Sequence, residues 1–144
     1  MNVRKLTGER YCAWMAQGNA EIVRRFYEAW SENDTPGPAE LLDPEVEYVN
    51  PEGAIEPGTR KGVAAFATAT RSVLAAWEYW RCEVESLTEV DDNVIAIVHY
   101  WTRGRGSGVE IEGRESALWT VRDGKVVRYA WFHGIDDAAA AARS

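Results

Sequence analysis

Residues 110–133 read EIEGRESALWTVRDGKVVRYAWFH, two runs of alternating apolar and polar side chains joined by Asp123-Gly124. Alternation with a period of two marks half-buried strands, and Asp-Gly between two such runs signals a tight hairpin. The turn decides which side chains share a face, because a slip of one residue exchanges the two faces. A two-residue turn sets Arg122 against Lys125, a like-charge pair, and Trp119 against Arg128. A three-residue loop with Gly124 left-handed pairs Val121 with Lys125, Trp119 with Val127, Ala117 with Tyr129, Glu115 with Trp131 and Gly113 with His133, and this register is expected. One face then carries Glu115, Trp119, Tyr129, Trp131 and His133. The opposite face carries Arg114, Ser116, Leu118 and Thr120 against Val126, Arg128, Ala130 and Phe132.

Working outward, the same period of two predicts strands over 81–88 and 94–102, with Asp91-Asp92-Asn93 and the 104–108 glycine loop as connections. Before them, Val63, Phe66, Ala67, Thr70, Val73, Leu74 and Trp77 keep the 3.6-residue period, which predicts a long helix over 63–80. Ile22, Val23, Phe26, Tyr27 and Trp30 do the same for a helix over 20–31 capped by Asn19, and a one-turn helix over 39–42 leads to a short strand over 46–49 and a loop to Gly62. Residues 136–143 are alanine-rich and read as helix. Residues 1–18 read as an extension with a short helix over 7–17, capped by Thr7, and 19–144 as a single domain. Helices first and an antiparallel meander after give an α+β class. Its architecture is a curved, cone-shaped antiparallel sheet wrapped around a long helix, with a concave face where a site can form.

Composition narrows the function. A net charge of -7 repels phosphate backbones, so nucleic acid is not an expected partner. No apolar run reaches the roughly 18 residues that cross a bilayer and no leader precedes the first helix, so a cytoplasmic protein without membrane contact is expected. Cys12 and Cys82 are far apart and read as buried reduced thiols. There is no phosphate loop, nucleophile elbow or zinc helix, and His99 and His133 lie on different strands, so neither a metal nor a cofactor is expected. Seven Trp, six Tyr and three Phe exceed what a small core needs and point to a ring-lined pocket for a small apolar molecule. Ile95, Ile97 and Trp101 alternate away from the concave face, an apolar stripe that predicts a homodimer through the convex side.

In the expected register Glu115 and His133 are diagonal neighbours, within the roughly 7–8 Å that long side chains bridge. A carboxyl among rings is desolvated and titrates high, while His titrates near neutrality, so the pair suits general acid and base work; a satisfied ion pair at the sheet edge is the structural alternative. Tyr100, Trp119, Tyr129 and Trp131 are the expected pocket rings.

Three stretches resemble the SnoaL-like polyketide cyclase branch of the nuclear transport factor 2-like superfamily: EIVRRFYEAW at 21–30, LDPEVE at 42–47 and WTVRDGKVVR at 119–128. The likeness runs from Asn19 to the end and implies a cone of one curved sheet and three helices that hosts isomerases, cyclases, dehydratases, epoxide hydrolases and binders. Matched to the ketosteroid isomerase relatives, the general base falls on Asn50, the oxyanion acid on Ala117 and the helix tyrosine on Phe26, none able to serve. Matched to the limonene epoxide hydrolase relatives, Tyr48-Val49-Asn50 fits their Tyr-x-Asn segment, but their Asp-Arg-Asp set falls near Tyr100, Val98 and Trp131. The resemblance therefore leaves Tyr48 and Asn50 to orient a substrate oxygen and Glu115 and His133 to move protons. The expected function is an acid/base isomerase, cyclase, dehydratase or hydratase acting on an apolar oxygenated molecule. A non-catalytic binder and a dimerisation module are the alternatives.

Overall fold

The computed structural model describes residues 3–7 and 18–143. Strand β1 (Val3–Thr7) precedes helix α1 (Asn19–Ser31), a single 3-10 turn (Ala39–Leu41), strands β2 (Leu42–Asn50) and β3 (Gly58–Lys61), and helix α2 (Val63–Ala75). Four long strands follow, β4 (Trp77–Val90), β5 (Asn93–Gly104), β6 (Glu110–Arg122) and β7 (Lys125–Phe132), and helix α3 (Asp137–Arg143) closes the fold. All seven strands form one sheet in the order β1-β4-β5-β6-β7-β2-β3. The fold is the expected α+β cone, with one departure from an antiparallel sheet: β2 runs parallel to β7.

Several expected boundaries move. The helix expected over 63–80 stops at Ala75, and Trp77–Val90 is strand instead. Aromatic residues favour the pleated surface, and an irregularity between Trp77 and Tyr79 lets Trp77 and Trp80 face the same way despite a spacing that mimics a helix. The loop expected before Gly62 contains β3, paired with β2. Thr7 is the last residue of β1, paired with Ser86 on the edge of β4. The rest of the helix expected over 7–17, with Cys12, lies outside the described residues. Asn19 is the first helical residue and not the cap; Glu89 of β4 accepts from the Ala20 N–H at 3.0 Å, a carboxylate at the positive end of α1.

The hairpin turns in two residues, with Asp123 at φ 51° and Gly124 at φ 76°, and Arg122 does lie opposite Lys125. The left-handed pair matches the twist of the strands, which outweighs an exposed like-charge contact that water screens. A bulge between Thr120 and Val121 and their partners leaves Val127 as the extra residue, so Trp119 pairs with Tyr129 and Ala117 with Trp131. The expected register is thus two residues out, once for the turn and once for the bulge. Two slips restore the face: Glu115, Trp119, Tyr129, Trp131 and His133 still share one side. Val126, expected on the outer face, moves to the core.

Across the inner face, Val94, Trp119, Tyr129 and Tyr48 form a row over four strands. Trp119 is fully buried, with ring centroids of Tyr129, Phe26, Tyr27 and Trp30 at 4.5, 5.3, 5.5 and 5.6 Å. Its indole N–H donates to the Tyr27 hydroxyl at 3.1 Å. Phe26 also meets Gly37, where a Cβ would sit 2.7 Å from the ring and the φ of 97° already favours glycine. On the outer face, α3 packs over β6: Ser116 donates to the Gly134 carbonyl at 2.6 Å and accepts from the Ala138 N–H at 3.1 Å. Ser116 is the register partner of Ile97, and Ile95, Ile97 and Trp101 are half-buried, so the chain itself covers part of its convex stripe. Tyr27→Phe leaves the buried Trp119 N–H without an acceptor and is expected to cost about 1–3 kcal/mol, measured as a lower denaturation midpoint with unchanged slope.

Candidate active site

The rings of that core fill one end of the sheet. Toward the other end the inner face of β6 presents Gly113, Glu115 and Ala117, and Glu115 lies opposite Val98. Small neighbours leave space above the carboxyl. The space is a cavity of about 230 Å³ bounded by α2 (Thr70, Val73, Leu74), the start of β4 (Trp77, Trp80), β5 (Tyr100, Thr102), β6 (Glu115), β7 (Tyr129, Trp131) and by Trp30, Tyr48 and His133. Gly113 has a specific task there. Tyr100 lies across it, with the phenol oxygen 2.6 Å from where a Cβ would be, so glycine lets this ring lie flat beside Glu115.

Among the described residues, no hydrogen bond or ion pair engages the Glu115 carboxylate. Burial without a compensating charge raises its pKa from 4.5 to about 7. Tyr48 and Tyr100 titrate above the usual phenol range, first because they are buried and second because of the Glu115 charge, so both remain protonated hydroxyls at neutral pH. Arg114 touches the cavity, but its guanidinium donates to both carboxylate oxygens of Glu85, at 2.7 and 2.9 Å. Thr102 is buried, and its hydroxyl finds no partner among the described residues. No three His, Cys, Asp or Glu side chains converge as a metal ion requires, again among the described residues.

The sequence profile of the SnoaL-like domain matches residues 23–129. The chain belongs to the SnoaL-like domain family. Solved structures share the fold. TerC, co-crystallised with polyporic acid, is 23% identical with a TM-score of 0.70 over 86% of this chain and 97% of its own. A Catenulispora acidiphila protein with the ketosteroid isomerase-like fold, in complex with trimethylamine, is 18% identical with a TM-score of 0.70 over 83% and 90%. A candidate SnoaL-like polyketide cyclase from Jannaschia sp. CCS1 is 20% identical with a TM-score of 0.68 over 87% and 90%. No curated protein matches the chain.

In this SnoaL-like domain, Tyr48, Tyr100, Glu115, Tyr129, Trp131 and His133 all line the cavity. Trp119 lies beneath it in the core, its indole spent on Tyr27. Asn50 is also spent: its side-chain oxygen accepts from the Trp131 indole at 2.6 Å and its amide donates to the Glu56 carbonyl at 2.9 Å, so it holds a wall ring and the 51–57 loop. Glu115 and His133 share the site without a hydrogen bond or ion pair between them. His133 is exposed at the mouth, edge-on to Trp131 with ring centroids 4.9 Å apart. Trp30, Trp77, Trp80, Leu74 and Thr102 escaped the sequence reading as wall residues. Their helical spacing places Trp30, Trp77 and Leu74 on helix packing faces, and the irregularity in β4 hides the common face of Trp77 and Trp80.

An acid whose pKa is raised on folding binds more protons folded than unfolded between the two values, so its contribution falls as pH climbs from about 4.5 to about 7. Glu115→Gln removes that loss. The variant is expected to match the parent in melting temperature near pH 4 and to exceed it at pH 8, by up to about 3 kcal/mol in unfolding free energy. A parent curve as flat as the variant's between those limits would contradict a desolvated Glu115.

Proposed function

We propose that this SnoaL-like domain is an acid–base enzyme that moves a proton beside a carbonyl or hydroxyl carbon of an apolar small molecule held in the aromatic cavity. The observation that carries this reading is the unpaired Glu115 carboxyl in the ring-lined space. With a pKa of about 7 it is both available as a carboxylate and competent to return the proton, which is the balance general acid–base catalysis requires at neutral pH. Abstraction of a proton beside a carbonyl puts charge on the carbonyl oxygen. The protonated hydroxyls of Tyr100 and Tyr48 are suited to donate to that oxygen, and the low-dielectric walls strengthen those bonds. His133 at the mouth suits exchange of the proton with solvent, and Asn50 serves by holding Trp131 against the substrate. Isomerisation, cyclisation and dehydration all begin with such a step. The presence of small-molecule ligands with two fold relatives, polyporic acid and trimethylamine, supports a small-molecule role for the cavity.

The second reading is a binder with the same cavity and no chemistry, favoured by the absence of a contact between Glu115 and His133. Hydrogen–deuterium exchange separates the two. The protein in heavy water with α-tetralone or a larger fused-ring ketone is expected to accelerate exchange beside the carbonyl, with a rate that rises as pH passes about 7. Glu115→Gln is expected to lower that rate about 10²–10⁴-fold. Saturable binding of the ketone without exchange would select the binder. A homodimer through the uncovered part of the convex face, where His99 stacks on Trp101 at 4.2 Å, completes the proposal, and light scattering at micromolar concentration is expected to give twice the chain mass.

A further inference from the structure

The cavity has an unbalanced charge. Its walls include the indoles of Trp30, Trp77, Trp80 and Trp131, and its ionised group is the Glu115 carboxylate. The two lining side chains able to carry positive charge do not neutralise it. Arg114 is held by Glu85, and His133 is exposed at the mouth without an ion pair to Glu115. The titratable groups that feel the Glu115 charge from the packed elements are Tyr27 of α1, Tyr48 of β2, Cys82 of β4, Tyr100 of β5 and Tyr129 of β7; burial raises the pKa of each, and the Glu115 charge adds to it. All five are neutral acids. Ionising any of them would add negative charge, so none supplies a counter-ion. Aromatic faces are themselves negative, and a cation over a Trp face gains more than over any other ring. A carboxylate set among indoles and phenols, with no resident cation, is the chemistry that recognises an organic ammonium ion.

We infer that the cavity binds an organic ammonium cation of choline size or an ammonium-bearing substrate, with Glu115 as counter-ion and the Trp77, Trp80 and Trp131 indoles as the cage. The inference rests on the proposed small-molecule role of the cavity and adds the class of molecule that fills it. The ligand supplies the charge the site lacks. An anionic ligand meets repulsion from Glu115 and from a chain of net charge -7, which also steers cations inward. Binding a cation favours the ionised carboxylate, so uptake at acid pH releases a proton and affinity rises with pH until Glu115 is fully ionised.

The test uses the full chain, titrated calorimetrically with choline and with its uncharged isostere, in which tert-butyl replaces trimethylammonium. At about pH 8 choline is expected to bind at least about tenfold tighter than the isostere, and at about pH 5.5 the advantage is expected to shrink severalfold. Glu115→Gln is expected to abolish the advantage and its pH dependence. Trp80→Leu, which keeps an apolar wall, is expected to weaken choline more than the isostere. Equal affinities at about pH 8, an undiminished choline preference in Glu115→Gln, or no saturable choline binding would overturn the inference. Failure here leaves ketone exchange by the same protein untouched, and loss of exchange leaves choline selectivity untouched, so the two readings fail separately.

Discussion

The hydrogen bond from the Trp119 indole to the Tyr27 hydroxyl joins the centre of the curved sheet to helix α1, and much of the molecule is arranged around it. Both groups are buried where water cannot serve either of them, so each fixes the other's orientation. Phe26, Trp30 and Tyr129 then pack on the Trp119 ring, and Tyr48 packs on Tyr129 at 5.2 Å. Large rings thus close one end of the cone. At the other end Gly113 and Ala117 flank Glu115, and α2 roofs a space that no side chain occupies. The same sheet holds a dense core and an open cavity because side-chain size falls along the inner face of β6, from Trp119 through Ala117 to Gly113.

Glu115 shows what this arrangement costs. A carboxyl desolvated by rings and given no cation is kept at the expense of folding stability above neutral pH. Other polar side chains of the sheet and helix α1 are engaged: Asn50 between Trp131 and Glu56, Ser116 between Gly134 and Ala138, Ser31 with the Cys82 backbone. Among the described residues the Glu115 carboxyl has no hydrogen bond or ion pair and the buried Thr102 hydroxyl has no partner, and both meet the cavity. Cavity-lining groups left without a protein partner are the ones a ligand can serve.

The two irregularities that matter for the site are single residues. Val127 bulges from β7, and an extra residue in β4 lies between Trp77 and Tyr79. Each reverses the inward and outward alternation of its strand at one point. On β7 the bulge brings Tyr129, Trp131 and His133 to the face of Glu115. On β4 it turns Trp77 to the face of Trp80. Without these reversals the cavity would lose rings from two of its walls.

The sequence by itself determined the class of fold and the order of the helices and long strands, because hydrophobic period is a local property; the face shared by Glu115, Tyr129, Trp131 and His133 depends on the two-residue turn and the Val127 bulge together, and the expected register reached it only because two slips cancel. It also determined that Ala117, and not a second acid, lies beside Glu115. Three things were settled only by tertiary structure. The parallel pairing of β2 with β7 joins segments some eighty residues apart, which no local pattern encodes. The start of β4 at Trp77 depends on α2 ending where the sheet needs a strand, so packing overrode the helical spacing of Trp77 with the residues before it. The roles of Asn50 and Trp119 were also decided in space: both are competent to meet a ligand as isolated side chains, and both are consumed by partners, Trp131 and Tyr27, that lie 81 and 92 residues away.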